Sequence, residues 1–325
     1  MKIITLWLLL GVVSLLNADS GNITHHDQQP ALRQIVDSIS DKIIQRGDLP
    51  HITVVEQLDI LEELATFPLG AFLIQNRGLN GLWTDYYINH PTRGKITGLN
   101  SEGKPLGKVE KYLLESTITF TASRERFVIF KKELQDRCQE GVVLASAPCG
   151  VMGDLLQLDF RGLTEFHLIG SDIDPQSIKE ADRRANELGL GDHASFYTCS
   201  AWNMPLDSVA DVLTSNGLNF YEANDDKVVD LYRAFLRALK PGGVLVTSFL
   251  TPPIGFPQSE WLPEEVDMDN FLMEKIIYSD IIGASWRTYR TTEQTKAQLE
   301  AAGFVNVRFI NDRAHVFPTV IAERP

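Results

Sequence analysis

The feature that most constrains this chain is a short apolar run, Val142-Val143-Leu144-Ala145, that leads into a loop holding Gly150 and Gly153. An unalternating run of that length predicts a strand buried on both faces, the kind found in parallel sheets packed between helices. The residues beyond the loop keep the pattern. Phe166 to Gly170 reads as a second strand, and Asp174-Pro175 as the cap and first residue of the helix after it. Further strands are expected at Ala194 to Cys199, Ala210 to Thr214 and Val244 to Phe249, with a helix from about Asp226 to Leu239. The last two, Phe304 to Ile310 and His315 to Ala322, are joined by only Asn311 to Ala314. So short a link permits a hairpin and excludes a parallel crossover. The expected fold class is therefore α/β: a Rossmann-like, doubly wound, seven-stranded sheet, mostly parallel, with an antiparallel C-terminal strand.

The loop after the first strand is where chemistry is expected. Unpaired backbone N–H groups gather between a strand end and a helix start, and Gly150 and Gly153 have no Cβ to block a ligand. A tight strand-to-helix turn would use the same residues, so the glycines alone leave the question open. Asp172 narrows it. It lies 22 positions beyond Gly150 at the end of the second strand, where an acid accepts hydrogen bonds from ribose hydroxyls. Capping the next helix falls to Asp174, directly before Pro175.

From Val142 to Ala322 the chain resembles a class I S-adenosylmethionine-dependent methyltransferase. The resemblance rests on the glycine loop, Gly170-Ser171-Asp172-Ile173-Asp174-Pro175, the Leu239-Lys240-Pro241-Gly242-Gly243 turn, and Ala302-Gly303-Phe304 before the final hairpin. It implies S-adenosylmethionine as cofactor. The backbone of Ala147, Pro148, Cys149 and Gly150, with Gly153 behind it, would hold the methionine end, and Asp172 the ribose. Ile173 would pack on one side of the adenine, and Ala201 and Trp202 on the other. Asn216 and Leu218 would face the reacting methyl. Two departures stand out: Pro148-Cys149-Gly150 replaces the commoner Gly-x-Gly, with Val151 as an extra residue. Ser200 occupies the place of an adenine-binding Asp. Ser215-Asn216-Gly217-Leu218 stands where amino-methylating relatives carry Asn-Pro-Pro-aromatic, which argues against adenine and glutamine acceptors. A small-molecule acceptor is expected. Cys149 has no acid–base partner in sequence and reads as an inert buried thiol. No base stands out; Asn216 and Tyr221 are the catalytic candidates.

Residues 28–139 read as a helical N-terminal extension without repeats, and residues 140–325 as the cofactor-binding domain, with an insertion at 251–290. Leu32, Ile35, Val36, Ile39 and Ile43 recur at helical spacing before Gly47, and Thr53-x-x-Glu56 is a capping box for a helix ending at Pro68. Thr92 to Lys108, with four glycines, reads as an exposed loop, and Thr121 to Cys138 as a further helix. A cluster of Trp83, Tyr86 and Tyr87 is either core or, as the resemblance implies for helices before the sheet, part of an acceptor pocket. The insertion should hold a helix near Phe271 to Ile282. Its Arg287 and Arg290 either receive an acidic acceptor or form surface salt bridges.

Composition bounds the partners. Thirty Lys and Arg against 43 Asp and Glu give a net charge of −13, which disfavours nucleic acid. Three cysteines without a C-x-x-C pair give neither a disulfide framework nor zinc-ligand spacing, and no metal is expected. Lys2, the apolar run Ile3 to Leu16 and Asn17-Ala18-Asp19 make residues 1–20 look like a secretory signal or membrane anchor, the alternative being a buried helix. Export or membrane association is thus expected, against a cytoplasmic alternative favoured by a cytosolic methyl donor. Two rival functions share these motifs: an NAD-dependent oxidoreductase, opposed by the final hairpin and the absence of a Tyr-x-x-x-Lys pair, and a scaffold that binds the cofactor without catalysis.

Overall fold

The computed structural model describes residues 31–286 and 288–325. The signal- or anchor-like segment and Arg287 lie outside the described residues. Helix α1 (Leu32–Arg46) buries Val36 and Ile43 and stops at Gly47, whose φ of 83° suits a residue without a side chain. Helix α2 (Val54–Leu64) starts at the Thr53 capping box, in which Thr53 and Glu56 exchange hydrogen bonds. It ends at Leu64 rather than at Pro68. Pro68 instead opens α3 (Pro68–Asn76), because at a first helical position its missing N–H costs nothing. Helix α4 (Gly81–Ile88) follows, capped by the Asn80 side chain. The glycine-rich stretch expected to be a loop contains a short helix, α5 (Gly94–Thr97), and runs into α6 (Lys108–Ser116), which the sequence pattern did not reveal. Helix α7 (Ile118–Gln135) then crosses to the sheet.

The sheet comprises β1 (Val142–Ser146), β2 (Phe166–Asp172), β3 (Ala194–Thr198), β4 (Ala210–Ser215), β5 (Leu239–Ser248), β6 (Val305–Ile310) and β7 (Thr319–Glu323). Between the strands lie α8 (Gly153–Leu156), α9 (Pro175–Glu187), α10 (Asp225–Ala238), α11 (Met268–Lys275) and α12 (Thr292–Ala302). The strand order is β3-β2-β1-β4-β5-β7-β6, with β1 to β5 parallel and β7 antiparallel to both its neighbours. The order reverses at β1/β4, the switch point outside which ligands bind in doubly wound sheets. Strand β7 begins four residues later than expected. The Asp312 carboxylate accepts the N–H groups of Ala314 (3.2 Å), Val316 (3.0 Å) and Phe317 (2.6 Å) and folds them into a turn.

Two apolar layers cover the sheet, one centred on Leu213, Tyr232, Phe235 and Leu299, the other on Phe130, Leu144, Leu168 and Ala181. A third core lies at the carboxyl end of the strands and joins regions far apart in sequence. Leu61, Leu64, Leu73 and Phe120 of the N-terminal helices pack there with Trp261, Ile277, Ile281 and Trp286 of the insertion. Hydrogen bonds bind the two parts together: Arg77 Nε donates to Gly283 O (2.7 Å), and Tyr112 Oη donates to Asn270 O (2.7 Å). Glu274 on α11 accepts the N–H of Thr119 (3.1 Å) and that of Ile118, capping α7 from outside it. The expected helix at Phe271 to Ile282 is α11 followed by one π-helical segment, Ile276–Ile281. Extension and insertion thus form a single cap. No helix among the described residues is long and apolar enough to cross a membrane.

Candidate functional site

A cavity of about 250 Å³ opens between the cap and the carboxyl ends of β1, β2 and β4. Its floor is the loop after β1. The Ala147–Pro148 peptide is cis, Gly150 has a φ of 52°, and Met152 is also left-handed. A Cβ on Gly150 would come within 2.8 Å of Gly81 Cα, and one on Gly81 would overlap Gly150 Cα. Both residues must therefore be glycine for the cap to close on the loop. This is where the sequence placed its close approach, but it is made by the chain's own α4. An ion pair beside the contact holds the same face shut: Arg184 on α9 lies 2.9 Å from the buried carboxylate of Asp85 on α4.

Three buried carboxylates surround this floor. Asp172 Oδ2 accepts Gly150 N–H (2.8 Å) and Oδ1 accepts Asp174 N–H (2.9 Å). Burial pushes its pKa up and these backbone bonds oppose the rise. Asp174 caps α9 as expected, accepting Gln176 N–H at 3.0 Å. Asp154, which the sequence did not single out, accepts the hydroxyls of Ser146 (3.0 Å) and Thr214 (2.6 Å), tying β1 to β4; burial raises its pKa as well. Its signal was an acid directly after Gly153 at the start of a helix. Cys149 is buried and its thiol is pushed well up by desolvation, as an inert cysteine should be.

The expected site residues divide. Pro148, Cys149, Gly150, Gly153, Asp172, Ile173, Asn216 and Leu218 line the cavity, and so do Tyr87 and Tyr221. Ala147 is buried beneath the loop. Ser200, Ala201 and Trp202, after β3, do not line the cavity: Ser200 caps a short 3₁₀ turn and the Trp202 indole donates to Lys227 O (2.8 Å). Of the aromatic cluster, only Tyr87 reaches the cavity, stacked on Phe120 with centroids 4.0 Å apart. Trp83 packs edge-on against Tyr86, whose hydroxyl donates to Glu110. Arg290 does not line the cavity. It is 3% exposed and fully engaged, through Nε with Asp225 (2.9 Å), Nη1 with Asn219 O (2.9 Å) and Nη2 with Glu222 O (2.8 Å). Of the two readings, the salt bridge is the one seen, made to the exposed Asp225 by an arginine that is itself buried.

Arg126 escaped the sequence reading. On α7, Thr119, Ser123, Arg126 and Phe127 all line the cavity, at helical spacing on one face. Polar residues recurring on an otherwise apolar face were the signal. Asn216 Oδ1 on the loop after β4 is buried without a hydrogen-bond partner among the described residues. The Tyr221 phenol is raised by burial.

Residues 147–243 match a family described as a methyltransferase domain. A crystal structure of a possible exported protein from Bordetella parapertussis is 39% identical, with a TM-score of 0.84, over 90% of this chain and 95% of that one. Weaker likenesses run to a geranyl diphosphate methyltransferase in complex with its cofactor (17% identical, TM-score 0.43, 62% of this chain and 85% of that one). A methyltransferase from Aquifex aeolicus stands similarly, at 18% identity and a TM-score of 0.43 over 62% of this chain and 93% of that one. No curated protein matches the chain.

Proposed function

Since the chain belongs to the class I S-adenosylmethionine-dependent methyltransferases, we propose that it methylates a small molecule enclosed between the strand ends and the cap. The observation that carries this reading is the cavity itself, lined on one side by the loop after β1 and Asp172 and on the other by residues of α4 and α7. The close approach of Gly81 to Gly150, both of which line the cavity, favours a small acceptor over a macromolecule.

The residues fit the cofactor. Asp172 can take ribose hydroxyls, Ile173 can pack on the adenine, and the buried unpaired Asn216 Oδ1 awaits a donor. When bound, S-adenosylmethionine supplies a methyl group on a cationic sulfur that leaves as a neutral thioether. The chain's part is to align the acceptor lone pair with that carbon–sulfur bond and keep water out, effects worth ~7–11 kcal/mol in favourable systems. A phenol is protonated at neutral pH and burial raises the Tyr221 pKa further, so it orients an acceptor by donating a hydrogen bond rather than by taking a proton. Ser200, Ala201 and Trp202 would edge the adenine end.

Calorimetric titration with S-adenosylmethionine, its demethylated product and NAD tests the donor. The two sulfur compounds should bind and NAD should not. Radiolabelled methyl transfer into a small-molecule extract tests the reaction, and label found only in protein or nucleic acid would sink the acceptor class.

The relative described as a possible exported protein and the signal-like first twenty residues together support export of this chain, which N-terminal sequencing of the mature protein would test. A mature chain starting at Met1 and retained in the cytosol would contradict it.

A further inference from the structure

Resting on the methyltransferase reading, we infer that the acceptor is a small carboxylic acid with a flat or apolar body, whose carboxylate is held by Arg126. Arg126 is 4% exposed and lines the cavity, yet its guanidinium is barely used. Nη1 makes one long hydrogen bond to Ser248 Oγ (3.4 Å), and Nε has no partner among the described residues. No ion pair to it exists among the described residues. Asp312 is near enough to attract it, but its carboxylate is taken up by the Ala314, Val316 and Phe317 amides. The guanidinium stacks over Phe317 at 4.8 Å, which holds the cation without satisfying its donors. A buried guanidinium stays charged and presents five N–H donors in a planar fork, so this is an incomplete site for a planar bidentate anion.

Position assigns that anion to the acceptor rather than to the cofactor. Ser248 ends β5 and Asp172 ends β2, and between them lie β1 and β4. Three inter-strand steps of ~4.8 Å separate the two by roughly 14 Å. Asp172 lies at the end of β2 and Asp154 between β1 and β4, and Arg126, beside Ser248 at the end of β5, is the sole cation lining the cavity among the described residues. A single guanidinium matches the one charge of a carboxylate better than a phosphate dianion. Tyr87, Phe127, Tyr221, Trp286 and Phe317, which also line the cavity, supply aromatic surface suited to an apolar body.

The test loads the protein with the demethylated product, S-adenosylhomocysteine, and titrates in benzoate, 3-phenylpropanoate and octanoate, each beside its amide. At least one acid should bind ten- to a hundredfold tighter than its amide, the range expected for charge-assisted hydrogen bonds. Arg126→Met should abolish that preference while S-adenosylhomocysteine affinity is unchanged. Arg126→Lys, which keeps the charge and loses the fork, should retain part of it. Equal binding of acids and amides, binding of neither, or a preference that survives Arg126→Met overturns the inference. If S-adenosylhomocysteine itself fails to bind, the methyltransferase reading falls first. If it binds and no acid is preferred, only the carboxylate assignment falls.

Discussion

Arg290 and Arg126 are almost equally buried, at 3% and 4% exposure, and lie in opposite chemical situations. Arg290 spends its donors on Asp225 and two backbone carbonyls. Arg126 rests on a phenylalanine ring with one weak hydrogen bond. Burial alone therefore does not mark a functional cation. What separates the two is whether the desolvation cost is offset inside the protein or left for a ligand to offset.

The comparison can be broken experimentally, beginning with the largest effect. Arg290→Met should lower unfolding free energy by about 3 kcal/mol, because the buried Asn219 carbonyl and the partly buried Glu222 carbonyl lose their donors; a loss below about 0.5 kcal/mol in denaturant titration would mean the tie is idle. Asp172→Ala should weaken S-adenosylmethionine binding ten- to hundredfold, about 1.5–3 kcal/mol, without changing the acid preference at Arg126. Gly81→Ala should cost about 1–3 kcal/mol of stability, since the new methyl meets Gly150 backbone that cannot yield cheaply.

Glu274 gives a pH-dependent contrast. Desolvation raises its pKa to about 7 against the hydrogen bonds from Ile118 and Thr119. The folded chain then holds a proton that the unfolded chain releases above pH 4.5, so this contribution is complete below that value and fades as pH rises through 7. Stability of the wild type relative to Glu274→Gln should fall across that window by at most ~1.4 kcal/mol per pH unit. A flat difference would show that the carboxylate is already ionised. The smallest effect closes the comparison: Arg126→Met should change stability by less than about 1 kcal/mol, upward if anything, because a barely paired buried charge gives way to an apolar side chain.

The sheet was readable from sequence because its determinants are local. A buried strand, a glycine loop, Asp172 and Asp174-Pro175 each carry their own signal within a few residues. The cap was not. Leu61 and Phe120 find their partners at Trp261 and Ile277, well over a hundred residues away, and no periodicity reports such a pairing. Helix α6 was hidden behind the glycines of 94–107, and Trp83 and Tyr86 turned inward to the cap while Tyr87 faced the cavity. Arg290 stood between two readings and Arg126 went unnoticed for the same reason, since only the fold decides which buried cation finds a partner.

A cavity with a cofactor end at Asp172 and an acceptor end at Arg126 stands at the centre of the proposal. A crystal structure with S-adenosylhomocysteine bound tests it most directly. Ribose hydroxyls should lie on the Asp172 carboxylate, the sulfur should face the Asn216 loop, and open space should remain beside Arg126. A ligand lying against Arg126, with Asp172 still bonded only to backbone, would contradict it.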